Sequence, residues 1–142
     1  MSQQNTQEAN KALIRRWFEE VWNQGRADAI AEMMSEDCIN HGLSETDEPL
    51  RGASGFLPFH TQFRQAFPNL RVVVEDAIAE GDRVAVRCSV RATHTGDGFG
   101  LKATHKTTDF DGIGIGRVKE GKFVETWNSY DFMKMYKQLG VI

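Results

Sequence analysis

The chain has 142 residues, of which 40% are hydrophobic and 26% charged, and its net charge is −3. This length and composition predict one folded domain over residues 1–142 and exclude an intrinsically disordered protein. No cluster of Lys and Arg indicates a nucleic-acid partner, and there is neither an apolar run of about 18 residues nor a secretory signal, so a cytoplasmic protein with no membrane partner is expected.

Two helices are predicted near the start of the chain, after a flexible tail over residues 1–7. Between residues 8 and 23, apolar side chains recur as adjacent pairs four positions apart, which is the stripe of an amphipathic helix. Gly25 ends this helix, and residues 27–34 repeat the pattern over a shorter length. Both helices are therefore expected to pack one face against a core.

A short strand over residues 37–41 and a polar loop over residues 42–52 are predicted next, followed by a third helix over residues 54–67. Pro58 is tolerated there because it would lie in the first turn. His60, on the same helix, is expected to be exposed. Four rings share one side of this helix and must be covered: Phe56, Phe59, Phe63 and Phe67.

Period-two alternation predicts strands in the second half of the chain. Residues 70–79 and 83–95 form a hairpin, residues 102–118 a long strand, and residues 122–130 the last strand, before a helix over residues 131–140. Helices followed by four strands that can all pair antiparallel predict an α+β fold. Three glycines two positions apart in the long strand permit either sharp bending or the close approach of a ligand: Gly112, Gly114 and Gly116.

Neither a metal site nor a disulfide is predicted. Cys38 and Cys88 lie in apolar surroundings that suit buried, unreactive thiols. His94 and His105 flank a glycine-rich segment and would lie opposite each other in a symmetric hairpin, but they lack the third protein ligand of a catalytic zinc site.

Four segments that together cover most of the chain carry a family resemblance: NKALIRRWFEEVWNQGRADAI, AFPNLRVVVEDAIAEGDRVAVR, RATHTG and GRVKEGKFVETWNSYDFMKMYKQLG. In this order they resemble the SnoaL-like polyketide cyclases of the nuclear-transport-factor-2-like superfamily. The resemblance implies a cystatin-like α+β barrel, in which a cone-shaped, curved, mixed or antiparallel sheet is wrapped by N-terminal helices. It also implies a homodimer paired through the sheet, and an intramolecular aldol ring closure of a polyketide ester without metal or organic cofactor.

Two chemical groups that the resemblance implies are missing from this chain. The acid/base aspartate of the family aligns with Asn128, and a histidine on the preceding strand aligns with Gly114. An amide cannot accept a proton near neutral pH, so Asn128 is not a base. The usual cyclase mechanism is therefore not expected here.

Other residues are candidates for the catalytic site. His41 lies at the end of the first strand, near the expected cavity mouth, and is either a proton shuttle or a structural histidine. Asp131 either turns into the cavity or caps the last helix. Asn128 and Tyr130 are expected to donate hydrogen bonds to a substrate oxygen.

An unusual supply of rings indicates a cavity for a small hydrophobic or aromatic molecule. About half of these rings are expected to touch the cavity, and Trp127 is expected to point away from it. Arg87 and Arg91 are either solvated charges or contacts to a partner subunit or a ligand carboxylate. The expected lining is Trp17, Trp22, Phe56, Phe59, Phe63, Phe110, Gly114 and Tyr130.

Two functions remain open at this point. The first is a cofactor-free cyclase, isomerase or hydrolase that acts on a hydrophobic carbonyl compound. The second is a non-catalytic binding module or dimeric scaffold that lost the acid/base pair. Neither requires a metal or an organic cofactor.

Overall fold

The computed structural model describes residues 3–44 and 46–142. The helices in these ranges are α1 (Gln3–Trp17), which continues as a π-helical turn (Phe18–Asn23), α2 (Asp28–Met33), α3 (Gly52–Ala66) and α4 (Phe132–Leu139). The strands are β1 (Met34–His41), β2 (Leu50–Arg51), β3 (Arg71–Glu80), β4 (Arg83–Thr93), β5 (Thr107–Lys119) and β6 (Lys122–Tyr130). None of the helices in the described ranges is long and apolar enough to cross a membrane.

The strands form one mixed sheet in the order β2-β1-β6-β5-β4-β3. The last four strands in sequence are an antiparallel meander, as their alternation predicts, whereas β1 pairs parallel to β6. The predicted α+β class and the predicted hairpin of β3 and β4 are confirmed.

The core fills the space between the inner face of the sheet and helices α1 and α3. Along β4 every second residue is buried, because successive side chains of a strand point to opposite faces. The outer face of the sheet carries the arginines of that strand and several exposed isoleucines.

Several predicted boundaries are wrong by a few residues. Helix α1 begins at Gln3, so residues 3–7 are helical rather than a flexible tail, while residues 1–2 lie outside the described part. Helix α3 begins at Gly52, which places Pro58 in the second turn and not in the first. Strand β1 begins at Met34, three residues earlier than predicted.

Strand β5 begins at Thr107 instead of residue 102, because the preceding segment packs back on α3. Within it the Gly96 amide donates to the Ala66 carbonyl oxygen at 3.1 Å, and the Phe99 amide donates to Gln62 Oε1 at 2.8 Å. His105 adopts a left-handed backbone conformation with φ 60° just before the strand. These contacts hold residues 96–99 against α3, while His94 still shares backbone hydrogen bonds with His105 and Lys106 beyond the end of the strands.

The end of the first helix depends on His60, which the sequence wrongly indicates as exposed. In a π-helical turn the backbone bonds span five residues, and here the Gln24 amide donates to the Glu19 carbonyl oxygen. His60 is 2% exposed, and its Nε2 donates to the Val21 carbonyl oxygen at 2.7 Å. Helix α3 therefore satisfies a carbonyl group at the end of α1.

Candidate functional site

An apolar cavity lies between the inner face of the sheet and helices α1 and α3. Its volume is about 80 Å³, counted as the space that the centre of a water molecule can reach. Leu43, Phe59 and Phe132 line it and are half-exposed, so they mark its opening. All eight residues expected in the lining stand on its wall, together with rings that sequence reasoning missed: Phe18, Phe123 and Phe132.

The three glycines of β5 all face the cavity side and shape it in different ways. A Cβ at Gly112 would overlap the ring of Tyr130, and a Cβ at Gly116 would come within 2.6 Å of the Phe123 ring. At Gly114 the nearest atom to such a Cβ is 3.5 Å away. Gly112 and Gly116 therefore make room for rings of β6, and Gly114 leaves open space in the wall.

A hydrogen-bonded row of polar side chains closes one side of the cavity. Asn128 Nδ2 donates to the His41 carbonyl oxygen at 2.9 Å and to Thr126 Oγ1 at 3.1 Å. The Thr126 hydroxyl donates to Asn40 Oδ1 at 2.7 Å, and Asn40 Nδ2 donates to the Leu50 carbonyl oxygen at 3.2 Å. The row thus joins β6, β1 and β2.

Asn40 and Thr126 are site residues that the sequence analysis did not single out. Asn40 has the same strand parity as Cys38, which was expected to be buried, and Thr126 has the same parity as Asn128. This alternation along each strand was the signal in the sequence that could have placed both residues on the cavity side.

Tyr130 and Cys88 lie on either side of Gly112 in the sheet, and the Tyr130 ring lies over that glycine. Burial raises the pKa of Tyr130 well above its usual value and raises the pKa of Cys88 to about 11. Burial also raises the pKa of Cys38 to about 12. These groups are therefore neutral at physiological pH, in keeping with unreactive thiols.

The His41 side chain lies on the opposite face of the sheet from the cavity. Its Nε2 is 2.8 Å from Glu125 Oε2, and its ring stacks on Trp127 with centroids 5.7 Å apart. The hydrogen bond from His41 is the main reason that the pKa of Glu125 is lowered. Because β1 alternates, the inward neighbour is Asn40, and a role for His41 as proton shuttle in the cavity is contradicted by this placement.

Asp131 also stays outside the cavity. Its side chain is exposed, and Oδ1 accepts a hydrogen bond from the Lys134 amide at 3.0 Å, which makes it the N-cap of α4. Asp131 therefore caps the last helix and does not turn into the cavity.

The remaining charged candidates do not converge on a site. The His94 imidazole is buried and bonded to Thr104, whereas His105 is exposed, and the described residues contain no group of three metal-binding side chains. Arg87 and Arg91 form exposed ion pairs with acidic residues of neighbouring strands. Among the described residues, the cavity wall contains no Asp, Glu, His, Lys or Arg side chain.

Comparison with known proteins agrees with this architecture. The model of the SnoaL-like polyketide cyclase family matches residues 12–139. The chain belongs to the SnoaL-like polyketide cyclase family. It is 29% identical over 129 residues to the aklanonic acid methyl ester cyclase DauD of Streptomyces sp. (strain C5), covering 90% of this chain and 80% of that protein.

Two crystal structures illustrate the likeness of this cyclase-family fold. IdmH of Streptomyces antibioticus has a TM-score of 0.78 at 29% identity, over 91% of this chain and 96% of that chain. A SnoaL-like protein of Jannaschia sp. CCS1 has a TM-score of 0.87 at 21% identity, over 100% and 99% of the two chains, and supports the fold alone. Asn128 and Gly114 are register partners on β6 and β5.

Proposed function

We propose that this member of the cyclase family binds a small, hydrophobic, ring-containing compound in the cavity between its sheet and helices. The observation that carries the proposal is a wall made of aromatic side chains with one polar row. Rings of Trp17, Trp22 and Phe59 meet at tilted or edge-on angles around Phe56. Such walls favour flat apolar ligands through large buried area.

The size of the cavity limits the ligand. An engineered apolar cavity of about 150 Å³ holds benzene, and the cavity here is about 80 Å³. A bound ring would therefore extend to the opening at Leu43, Phe59 and Phe132, or displace those half-exposed side chains. This supports a one-ring or two-ring compound as the first class to test.

The side chains of the cavity wall suit ligand binding better than proton transfer. A general base has to lie within hydrogen-bond reach of the proton that it removes. Tyr130 and Cys88 are held neutral by burial, and Asn128 is an amide. A receptor for a small molecule is therefore the function that we favour.

Melting-temperature shifts and calorimetric titration with a panel that includes 1-tetralone, acetophenone and toluene test this proposal. We expect specific binding to the wild type and its loss in Gly114→Val, whose side chain would enter the open part of the wall. Recovery of the compound unchanged supports a receptor. Equal affinities for wild type and Gly114→Val would contradict binding in this cavity.

Cofactor-free cyclisation or isomerisation of a carbonyl compound is the second candidate, because the curated relatives are named as aklanonic acid methyl ester cyclases. Since the described residues place no Asp, Glu, His, Lys or Arg side chain on the wall, this reaction would depend on positioning and on solvent as the proton acceptor. Deuterium exchange at the α-carbon of a bound ketone tests it. Exchange above the buffer rate that is lost in Gly114→Val would favour this candidate over the receptor.

We also propose a homodimer that covers the outer face of the sheet. Exposed apolar residues cluster there: Val73 (48% exposed), Ile78 (69%), Ile113 (55%) and Ile115 (38%). Ile78, Ala85, Ile115 and Trp127 are consecutive register partners across four strands, so their side chains form one row. A second copy of this chain would remove that row from water.

A further inference from the structure

The orientation of the Asn128 amide is fixed by its surroundings. Its nitrogen lies 2.9 Å from the His41 carbonyl oxygen, which can only accept a hydrogen bond. The amide oxygen cannot take that place, because two acceptors would then face each other. Its second N–H donates to Thr126 Oγ1 at 3.1 Å, so both donors of Asn128 are used within the protein.

The other donors of the row are also used within the protein. The single hydroxyl proton of Thr126 goes to Asn40 Oδ1 at 2.7 Å. Asn40 Nδ2 donates in turn to the Leu50 carbonyl oxygen in β2 at 3.2 Å and to Met34 Sδ at 3.5 Å. The hydrogen bonds therefore run in one direction, from Asn128 to the backbone at the edge of the sheet.

The Asn128 side-chain oxygen is left as an acceptor beside the open part of the wall. Asn128 Oδ1 lies 3.7 Å from the position that a Cβ of Gly114 would occupy. It accepts no hydrogen bond from any residue within 3–44 or 46–142.

We propose that Asn128 Oδ1 selects ligands that donate a hydrogen bond, so that the cavity prefers a phenol or an enol to a ring compound whose oxygen only accepts. This inference rests on the proposed function, since it names the ligand class for the same cavity. It reverses the expectation that Asn128 and Tyr130 donate to a carbonyl oxygen. A carbonyl compound meets the requirement in its enol form or through a separate hydroxyl group.

The energetic reason is the asymmetry of a buried polar group. A ligand hydroxyl that donates to Asn128 Oδ1 satisfies an acceptor that the ligand would otherwise shield from water. An ether or ketone oxygen in that place adds a second acceptor and leaves both unpaired, and sites built for a hydrogen bond reject such analogues strongly.

Titration of the wild type with p-cresol, 4-methylanisole and toluene tests the inference. The three compounds share one ring, and only p-cresol can donate. We expect p-cresol to bind at least about tenfold more tightly than either of the others, although it is the most strongly hydrated. A Kd for 4-methylanisole or toluene equal to or below that for p-cresol would overturn the inference.

Two variants locate the effect. In Asn128→Ala the preference for p-cresol over toluene should be lost. Toluene should then bind more tightly, because it costs less to remove from water than p-cresol. Ser129→Ala is the matched control: Ser129 is exposed on the opposite face of the same strand, so the preference for p-cresol should persist. Loss of the preference in Ser129→Ala but not in Asn128→Ala would contradict the role of Asn128.

The outcomes separate this inference from the proposed function. If none of the three compounds binds to the wild type, both fail. If all bind with no preference and Gly114→Val abolishes their binding, the cavity is a ligand site and only the selection by Asn128 fails. The ligand comparison in the wild type decides the inference even if Asn128→Ala does not fold.

Discussion

The ring of Tyr130 lies across Gly112 of the neighbouring strand, in the place where any side chain of that residue would stand. Gly112 pairs with Tyr130 on one side and with Cys88 on the other. The phenol thereby reaches over one strand to the thiol of the next. A glycine in the middle of β5 thus serves the packing of a ring on β6.

Replacing Gly112 by alanine should destabilise the protein, because the new methyl group displaces the Tyr130 ring. Overpacking of this kind costs about 1–3 kcal/mol. Gly114→Ala is the matched control on the same strand and face, and it should unfold within about 1 kcal/mol of the wild type, since alanine suits a strand better than glycine. Urea denaturation of both variants checks this, and equal midpoints would contradict it.

Stability should decrease on acidification because two buried imidazoles are held neutral. Burial lowers the pKa of His60 and of His94 below the ordinary value of 6.5. The unfolded chain then binds protons more readily than the folded one, so the free energy of unfolding is fully present above about pH 6.5 and is lost as the pH falls towards the folded pKa values.

Urea unfolding at pH 7.5 and pH 5.5 measures this effect. In His60→Gln the loss of stability between the two pH values should be smaller, since glutamine can still donate to the Val21 carbonyl oxygen but does not titrate. Thr61→Gln, at the neighbouring exposed position of α3, should show the same loss as the wild type. If His60→Gln also showed the full loss, desolvation of His60 would not be its cause.

Asp131 should matter for stability and not for ligand binding. Asp131→Ala removes the cap on the Lys134 amide and should cost about 1 kcal/mol. Asp131→Asn can still cap the helix and should be closer to the wild type. We expect unchanged Kd values for p-cresol in both variants. Weaker binding in both variants would show that Asp131 contributes to ligand binding and would contradict the prediction.

The proposed dimer predicts a mass near twice the 16.0 kDa of one chain in light scattering. Ile113→Glu, in the middle of the outer face, should give the monomer mass with an unchanged circular dichroism spectrum. Met133→Glu is the control, since Met133 is 59% exposed on α4 and away from that face. A wild type that stays at 16.0 kDa at micromolar concentration would rule out the dimer.

The fold was readable from the sequence because it depends on local periodicity. The alternation of apolar and polar residues predicts the bounds of β4 and β6 to within two residues, and glycines mark the turns between the strands. The rings expected in the cavity also stand on its wall, since a residue's helix or strand face follows from spacing alone. Strand bounds and the face on which a residue lies are both set by the spacing of residues within one short segment.

The polar part of the site depends on register, which spacing does not give. His41 was expected near the cavity mouth, but its parity with respect to Cys38 places it on the outer face, beside Glu125 and Trp127. His60 lies on a helix face that is covered only because the end of α1 reaches it. The His60 error comes from a contact between distant segments, which no local pattern names, whereas the spacing of His41 from Cys38 already placed it on the opposite face of β1.

The last strand of the chain occupies the interior of the sheet. Strand β6 lies between β1 and β5, and the bond from Thr126 to Asn40 joins residues 86 positions apart. A growing polypeptide can therefore form the β3–β5 meander early, but β1 finds its neighbour only after β6 has been made. Until then the aromatic rings of α1 and α3 have no complete sheet to pack against. Deletion of residues 123–142 would remove β6 and split the sheet in two. We expect the truncated protein to be degraded and not to fold into a smaller, functional domain.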